Sequence, residues 1–267
     1  MRGRGGAQVP LRSASTGVAN WGGRAAARSL GPVNTDAVDP GAVPIKPAAT
    51  VIPLRDGTAG LEVLVLRRDT NLAFHGGSWV FPGGRVDDHE LARANDDLGA
   101  ARLAAARESE EEAGLRIEPD ELVTLSHWTT PIGRNRRFAT WFFVVAAPDG
   151  EVVIDDGEIR EYEWHTVADA IGGCEAGEIS LAGPTYVSLL RLRPSPTVAE
   201  ALAFVAGRPD EVFLPRLVRT PGGTFSVYQD DPAYDGDNLD APGPRHRMRM
   251  LERGYQYIND LDPVVVL

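Results

Sequence analysis

The sequence predicts an α/β protein: a mixed β-sheet with helices on both faces, carrying irregular extensions at its two ends. Three observations predict it. Short apolar runs rich in β-branched and aromatic residues alternate with helical segments. The longest helical segment is rich in Ala, Leu, Arg and Glu and stops at a glycine. Before residue 46 and beyond 206 the texture changes, with Pro, Gly and charged residues interrupting every short run.

In order along the chain, residues 1–45 are Gly-, Pro-, Ser- and Arg-rich without a sustained period and read as a disordered tail. Residues 48–54 and 61–66 are apolar runs on either side of an Asp56-Gly57 turn signal, which predicts paired strands. Trp79-Val80-Phe81 reads as a strand running into a Pro82-Gly83-Gly84 loop. Residues 98–113 form the main helix, stopped by Gly114. Residues 122–128 and 138–146 predict strands, the latter bounded by Pro148-Asp149-Gly150, with shorter strands at 151–154 and 162–165. Residues 166–171, 185–192 and 197–206 read as helices, and 207–267 as an irregular extension with one helix near 248–254. The organised domain is therefore expected over 46–206.

Composition narrows the function. A 43% apolar and 24% charged chain is ordinary for a globular protein, so a buried core is expected. No apolar run approaches the roughly 20 residues of a membrane helix, and residues 1–35 lack the continuous apolar stretch of a secretory signal. A net charge of −11 argues against nucleic acid as a partner and suits a site that collects cations. The lone Cys174 excludes an internal disulfide and fits a reducing cytoplasm. Of 27 basic residues only Lys46 is a lysine, which reads as the coding bias of a GC-rich genome.

The chemistry is carried by Arg107-Glu108-Ser109-Glu110-Glu111-Glu112-Ala113-Gly114-Leu115. Glu108, Glu111 and Glu112 are spaced i, i+3, i+4 and so share one helical face. Like charges at that spacing repel, and hard divalent cations with oxygen ligands are the natural compensation. A solvated acidic helix end is the bland alternative. Against it, these acids lie toward the helix C-terminus, where the macrodipole disfavours them. Arg107 precedes them as a counter-charge, and the Phe81-Pro82-Gly83-Gly84 segment lies upstream, able to bring backbone close to a phosphate.

These residues resemble the Nudix box, G-x5-E-x7-R-E-U-x-E-E-x-G-U, in which U is a bulky apolar residue. Gly84 and Glu90 match its opening; Arg107, Glu108, Glu111, Glu112, Gly114 and Leu115 match its second half. Two departures stand out. Sixteen residues separate Glu90 from Arg107 instead of seven, and Ser109 takes the apolar position after Glu108. The resemblance implies the Nudix α/β/α sandwich over 46–206, and a hydrolase that cuts a diphosphate bond in a nucleoside-diphosphate-linked small molecule. It implies Mg²⁺, or Mn²⁺ in its place, held by Glu108, Glu111, Glu112 and the Gly84 carbonyl, with Arg107 orienting the carboxylates. Water must lose a proton to a carboxylate, Glu111, Glu112 or a later acid; Glu158 is the candidate later acid.

For the substrate, Leu66-Arg67-Arg68, Ala73-Phe74 and the run from Gly77 through Asp87 resemble the coenzyme A and acyl-CoA diphosphatase branch, which also carries a long insertion in the box. Arg68, Gly77 and Phe81 through Gly84 fit its coenzyme A signature, whereas Asp69 and Ala73 depart from it. The expected substrate-binding residues are Arg68, Trp79, Gly83, Gly84, Arg85, Arg137 and Phe138. Arg134 to Arg137 offer guanidinium forks for a ribose phosphate, and Trp79, Trp128 and Phe138 offer stacking surfaces. Pro131, 16 residues after Leu115, resembles a feature of ADP-ribose diphosphatases, the rival enzyme reading with nucleotide-sugar diphosphatases. A non-catalytic Nudix ligand sensor is the rival of another class, although all three box carboxylates are intact. Residues 264–267 carry no peroxisomal address, so a cytoplasmic enzyme is expected, with a small nucleotide as partner. Neither nucleic acid nor membrane is expected as a partner, and the extension is compatible with a homodimer arm.

Overall fold

Strands β1 (Ile45–Gly57) and β2 (Gly60–Arg68) pair as an antiparallel hairpin only between Leu54–Gly57 and Gly60–Val63, and then diverge into a fork. The computed structural model describes residues 43–70, 76–154, 157–236 and 238–262, all within the compact unit Val38–Leu267. The tail before residue 43, Ala73-Phe74, Asp155-Asp156 and the terminal residues 264–267 lie outside the described residues.

Two short strands fill the fork. β3 (Trp79–Val80) pairs with β2 through Leu66 and Val80, and β4 (Gly83–Arg85) pairs with β1 through Ala49 and Gly84. Pro82 between them accepts from the Val51 amide at 3.0 Å. The expected glycine loop is thus partly a strand, because its amides and carbonyls have an open edge of β1 to bond. A Cβ on Gly83 would stand 2.4 Å from the Ala49 carbonyl oxygen and 2.8 Å from the Thr50 Cα, so only glycine fits there.

On its other edge β1 runs parallel to β6 (Arg137–Ala146) for ten register pairs, from Ile45↔Arg137 to Leu54↔Ala146. β5 (Val123–Thr129) continues the sheet antiparallel to β6, and β7 (Ile159–Thr166) pairs with β2. The sheet is mixed, as expected. Its two faces are both buried. Ala100, Ala101, Ala104 and Ala105 of α2 (Asp97–Ala113) pack with Ala49, Val51, Leu64 and Phe143, small side chains letting helix and sheet approach closely. α3 (Val167–Ala176), α4 (Gly183–Leu192) and α5 (Val198–Ala206) cover Ile52, Leu54, Val63 and Val144 on the opposite face. Among the described residues no helix is long and apolar enough to cross a membrane.

Two expectations need correction. Residues 151–154 are not a strand: the Val153 amide donates to the Ala113 carbonyl (2.9 Å), closing the C-terminal end of α2. The described residues beyond 207 are more regular than expected, and no helix forms near 248–254. β8 (Glu211–Phe213) lies parallel to β5, and β9 (Arg216–Thr220), β10 (Gly223–Val227), β11 (His246–Met250) and β12 (Tyr255–Asn259) make a second sheet in the order β12-β11-β10-β9. The Arg247-Met248-Arg249-Met250 alternation has the period of two that a strand requires. Tyr228, Met248 and Tyr257 join the main core, and the Tyr255 hydroxyl donates to Leu181 O (2.9 Å).

Candidate active site

The helix carrying the acidic run starts at Asp96, whose side chain accepts from the Gly99 amide (2.7 Å), and ends at Gly114 with φ 69°. Its last turns point the carboxylates at the fork. Glu112 accepts from the Gly83 amide at 2.9 Å, and the Cα of Gly84 faces Glu108, where a Cβ would fall 2.1 Å from the Glu108 Oε1.

Arg107 ties the cluster together. Its Nη1 donates to Glu108 Oε1 and Glu111 Oε2, both at 2.9 Å, its Nε to Glu90 Oε1 at 2.8 Å, and its Nη2 to the Arg85 carbonyl at 3.0 Å. The long insertion therefore does not remove Glu90 from the site. Glu90 sits in α1 (Asp88–Arg93), a helix the sequence reading missed, and the inserted residues run from there into α2, so that Glu90, 2% exposed, faces Arg107. The signal was present: Asp87-Asp88-His89-Glu90 has the capping-box spacing, and Glu90 Oε2 accepts from the Asp87 amide (2.8 Å).

The electrostatics are those of an acid cluster short of positive charge. Burial pushes the Glu112 carboxyl up to about 8 against the pull of the Gly83 amide, and neighbouring Glu108 pushes it the same way. Burial also raises Glu108, opposed by Arg107. Arg107 is held above its usual value, its burial outweighed by the bonds to Glu90 and Glu108. All donors here are hard oxygens, which fits a divalent cation of the magnesium type. Among the described residues no three acidic, imidazole or thiol groups already converge into a closed metal cage.

The cleft beside these acids, about 1350 Å³, is lined by Glu108, Glu111, Glu112, Gly83, Gly84 and Arg85. Arg68, Glu158 and Phe138 line it too, and the Arg68 Nη2 donates to Glu158 Oε2 at 2.6 Å. Asp69, the departure from the coenzyme A signature, is turned away: it accepts from Arg160 Nε at 2.6 Å, fastening β2 to β7. Two expected binding residues do not reach the cleft. Trp79 is 6% exposed, packed in the core edge-on to His165. Arg137, the first residue of β6, spends its Nε on Thr130 O (3.1 Å), and it is Arg134 and Arg136 that line the cleft. Trp128 also lines it, but one ring face is stacked on Phe213 at 3.7 Å.

Ser109, in the apolar position of the box, is fully buried with no hydrogen-bond partner for its hydroxyl. An unsatisfied buried hydroxyl costs about 1–3 kcal/mol, part of it recovered on removal. Ser109→Ala is expected to raise stability by about 1 kcal/mol in denaturant unfolding; a loss of stability would show that the hydroxyl has a partner.

Residues 44–182 match the family described as NUDIX domain. Nudix hydrolase 7 of Caenorhabditis elegans is 29% identical over 168 residues, 49% of this chain and 55% of that protein, so the chain spans about half the length of this relative. The acyl-coenzyme A diphosphatase NUDT19 of Xenopus laevis is 20% identical over 68% of this chain and 74% of its own length. Among solved structures, a NUDIX hydrolase from Alicyclobacillus acidocaldarius superposes with a TM-score of 0.54 at 25% identity, over 60% of this chain and 96% of that one.

Proposed function

The chain belongs to the NUDIX domain family, and from that premise we propose that it is a pyrophosphohydrolase acting on nucleoside diphosphate derivatives. The favoured substrate is coenzyme A or an acyl-CoA, cut to 3′,5′-ADP and phosphopantetheine or its acyl form. One observation carries the hydrolase reading: a carboxylate-bearing helix end abuts a glycine fork in the lining of a large cleft.

NUDIX hydrolases generally use divalent metal ions, and we assign Mg²⁺, with Mn²⁺ as substitute, to Glu108, Glu111, Glu112 and the Gly84 carbonyl. When bound, the ion neutralises phosphate oxygens and helps orient a water. The protein's part is positional. Arg107, itself anchored by Glu90, holds Glu108 and Glu111, the Gly83 amide holds Glu112, and Gly83 and Gly84 give phosphate oxygens room to approach. The water oxygen bonds to one phosphorus as that phosphorus releases the bridging oxygen, which leaves with the electron pair on the departing phosphate. The water proton goes to a cleft carboxylate. We assign this to Glu158, anchored by Arg68 yet 59% exposed. Arg134 and Arg136 suit the ribose phosphate of coenzyme A.

In this reading 46–206 is the hydrolase domain and the setting is the cytoplasm, where a free buried thiol such as Cys174 persists. Pro131 in the cleft lining favours ADP-ribose as the second reading. The test is a screen of coenzyme A, acyl-CoAs, ADP-ribose, NADH and dinucleoside polyphosphates with Mg²⁺ or Mn²⁺, products identified by mass. Phosphopantetheine from coenzyme A is expected. No phosphopantetheine from coenzyme A, together with AMP from ADP-ribose, would replace the first reading by the second.

A further inference from the structure

The family match ends at residue 182, yet the cleft does not. Beyond the first residues of α4 its wall is the C-terminal sheet, and strand register decides which side chains that sheet shows. Leu217 lies opposite Ser226, Ser226 opposite Met248, and Met250 opposite Tyr255. Residues directly opposite share a face, as do residues two apart on a strand. Leu217, Met248, Met250 and Tyr255 therefore form one face, and all four line the cleft with Pro215. The alternate residues, Arg247 and Arg249, belong to the opposite face.

This wall is apolar and its polar groups are engaged within the protein. The Tyr255 hydroxyl donates to Leu181 O (2.9 Å), and Ser226 interacts with Tyr228. A sugar arm would find few partners here. Thioethers and a leucine suit an unbranched hydrocarbon, since Met adapts to a flexible guest. The wall shares one cleft with Glu108, Glu112 and Gly84, so one molecule can span both.

We propose that this face of the C-terminal sheet is the subsite for the non-nucleotide arm of the substrate, selecting nucleoside diphosphates whose arm is long, flexible and apolar. The proposal rests on the hydrolase reading above and adds to it a length preference set by residues outside the family match. Gly183 sets the size of the subsite: a Cβ there would meet the Met248 Cε at 2.7 Å and push the thioether tip aside.

The test compares KM for acetyl-, octanoyl- and dodecanoyl-CoA in the full chain. Each methylene buried is worth at most about fourfold, so a fall in KM of about tenfold or more from acetyl to dodecanoyl is expected. Met250→Glu and Leu217→Glu should raise KM for dodecanoyl-CoA about tenfold more than for acetyl-CoA. Gly183→Val, on the facing segment, should penalise the longest arm first, and it carries the test should a glutamate variant fail to fold. Values within about twofold across the three thioesters in the unmodified protein, or a gradient that survives all three variants, would overturn the proposal. Calorimetric binding of the same three acyl-CoAs in metal-free buffer, where the diphosphate stays intact, separates the two readings. Length-graded binding lost in Met250→Glu but without hydrolysis removes the enzyme reading and keeps the subsite. Hydrolysis without length dependence does the reverse.

Discussion

Glu112→Gln is expected to lower turnover on the preferred diphosphate substrate by about 10²–10³-fold or more while the protein stays folded, the scale on which removing one pre-organised electrostatic group acts. The substitution keeps the shape of the side chain. Its neighbourhood already disfavours the charge: Glu112 is 8% exposed, beside Glu108, and reached by no guanidinium of Arg107. The charged form is disfavoured there, so a neutral isostere should melt at the same or a higher temperature in cation-free buffer. The unmodified protein should gain melting temperature on adding Mg²⁺ through mass action, and the variant should lose most of that gain. Turnover within about tenfold of the unmodified protein would remove Glu112 from the centre. Glu111→Gln separates enzyme from sensor: turnover falls by orders of magnitude in an enzyme, whereas a sensor keeps its ligand affinity and signalling.

Asp231→Ala is expected to destabilise the chain by about 3–5 kcal/mol, since it leaves the Arg247 guanidinium buried without its counter-charge. Both residues are buried, and the pair is bidentate: Arg247 Nη2 to Asp231 Oδ1 at 2.6 Å and Nε to Oδ2 at 2.7 Å. The same carboxylate accepts from the amides of Ala233 and His246, at 2.9 and 2.8 Å, pinning the loop between β10 and β11. Near the midpoint a change of this size corresponds to a drop of about 10 °C. Asp231 also sets a pH dependence. Although burial works to raise its carboxyl, the Arg247 pairing and the two amides outweigh that and hold it below its usual value near 3.8. Its stabilisation is therefore fully present above the unfolded value and is lost as pH falls through the lower folded one. Asp231→Ala should remove that part of the acid sensitivity along with the stability. A variant that melts within about 2 °C of the unmodified protein at neutral pH would show that the pair contributes little.

What could be read from the sequence alone were the features with short-range causes. The helix ending at Gly114 and its carboxylates at i, i+3 and i+4 follow from a 3.6-residue period and a glycine free to adopt positive φ. The strands around 48–54, 61–66 and 138–146 follow from apolar, β-branched composition over adjacent residues. Tertiary structure decided what depends on partners far along the chain. Gly83 to Arg85 became a strand because β1 left an edge open, and Glu90 met Arg107 because α1 and α2 bring together residues 17 apart in the chain. Trp79 turned into the core while Arg134 and Arg136 came to the cleft, and Met248 and Met250 became its wall only through the register of four short strands. Local period sets which way neighbouring side chains point. Which edge or cleft they meet depends on pairing between distant segments, whose free energy no short window of residues contains.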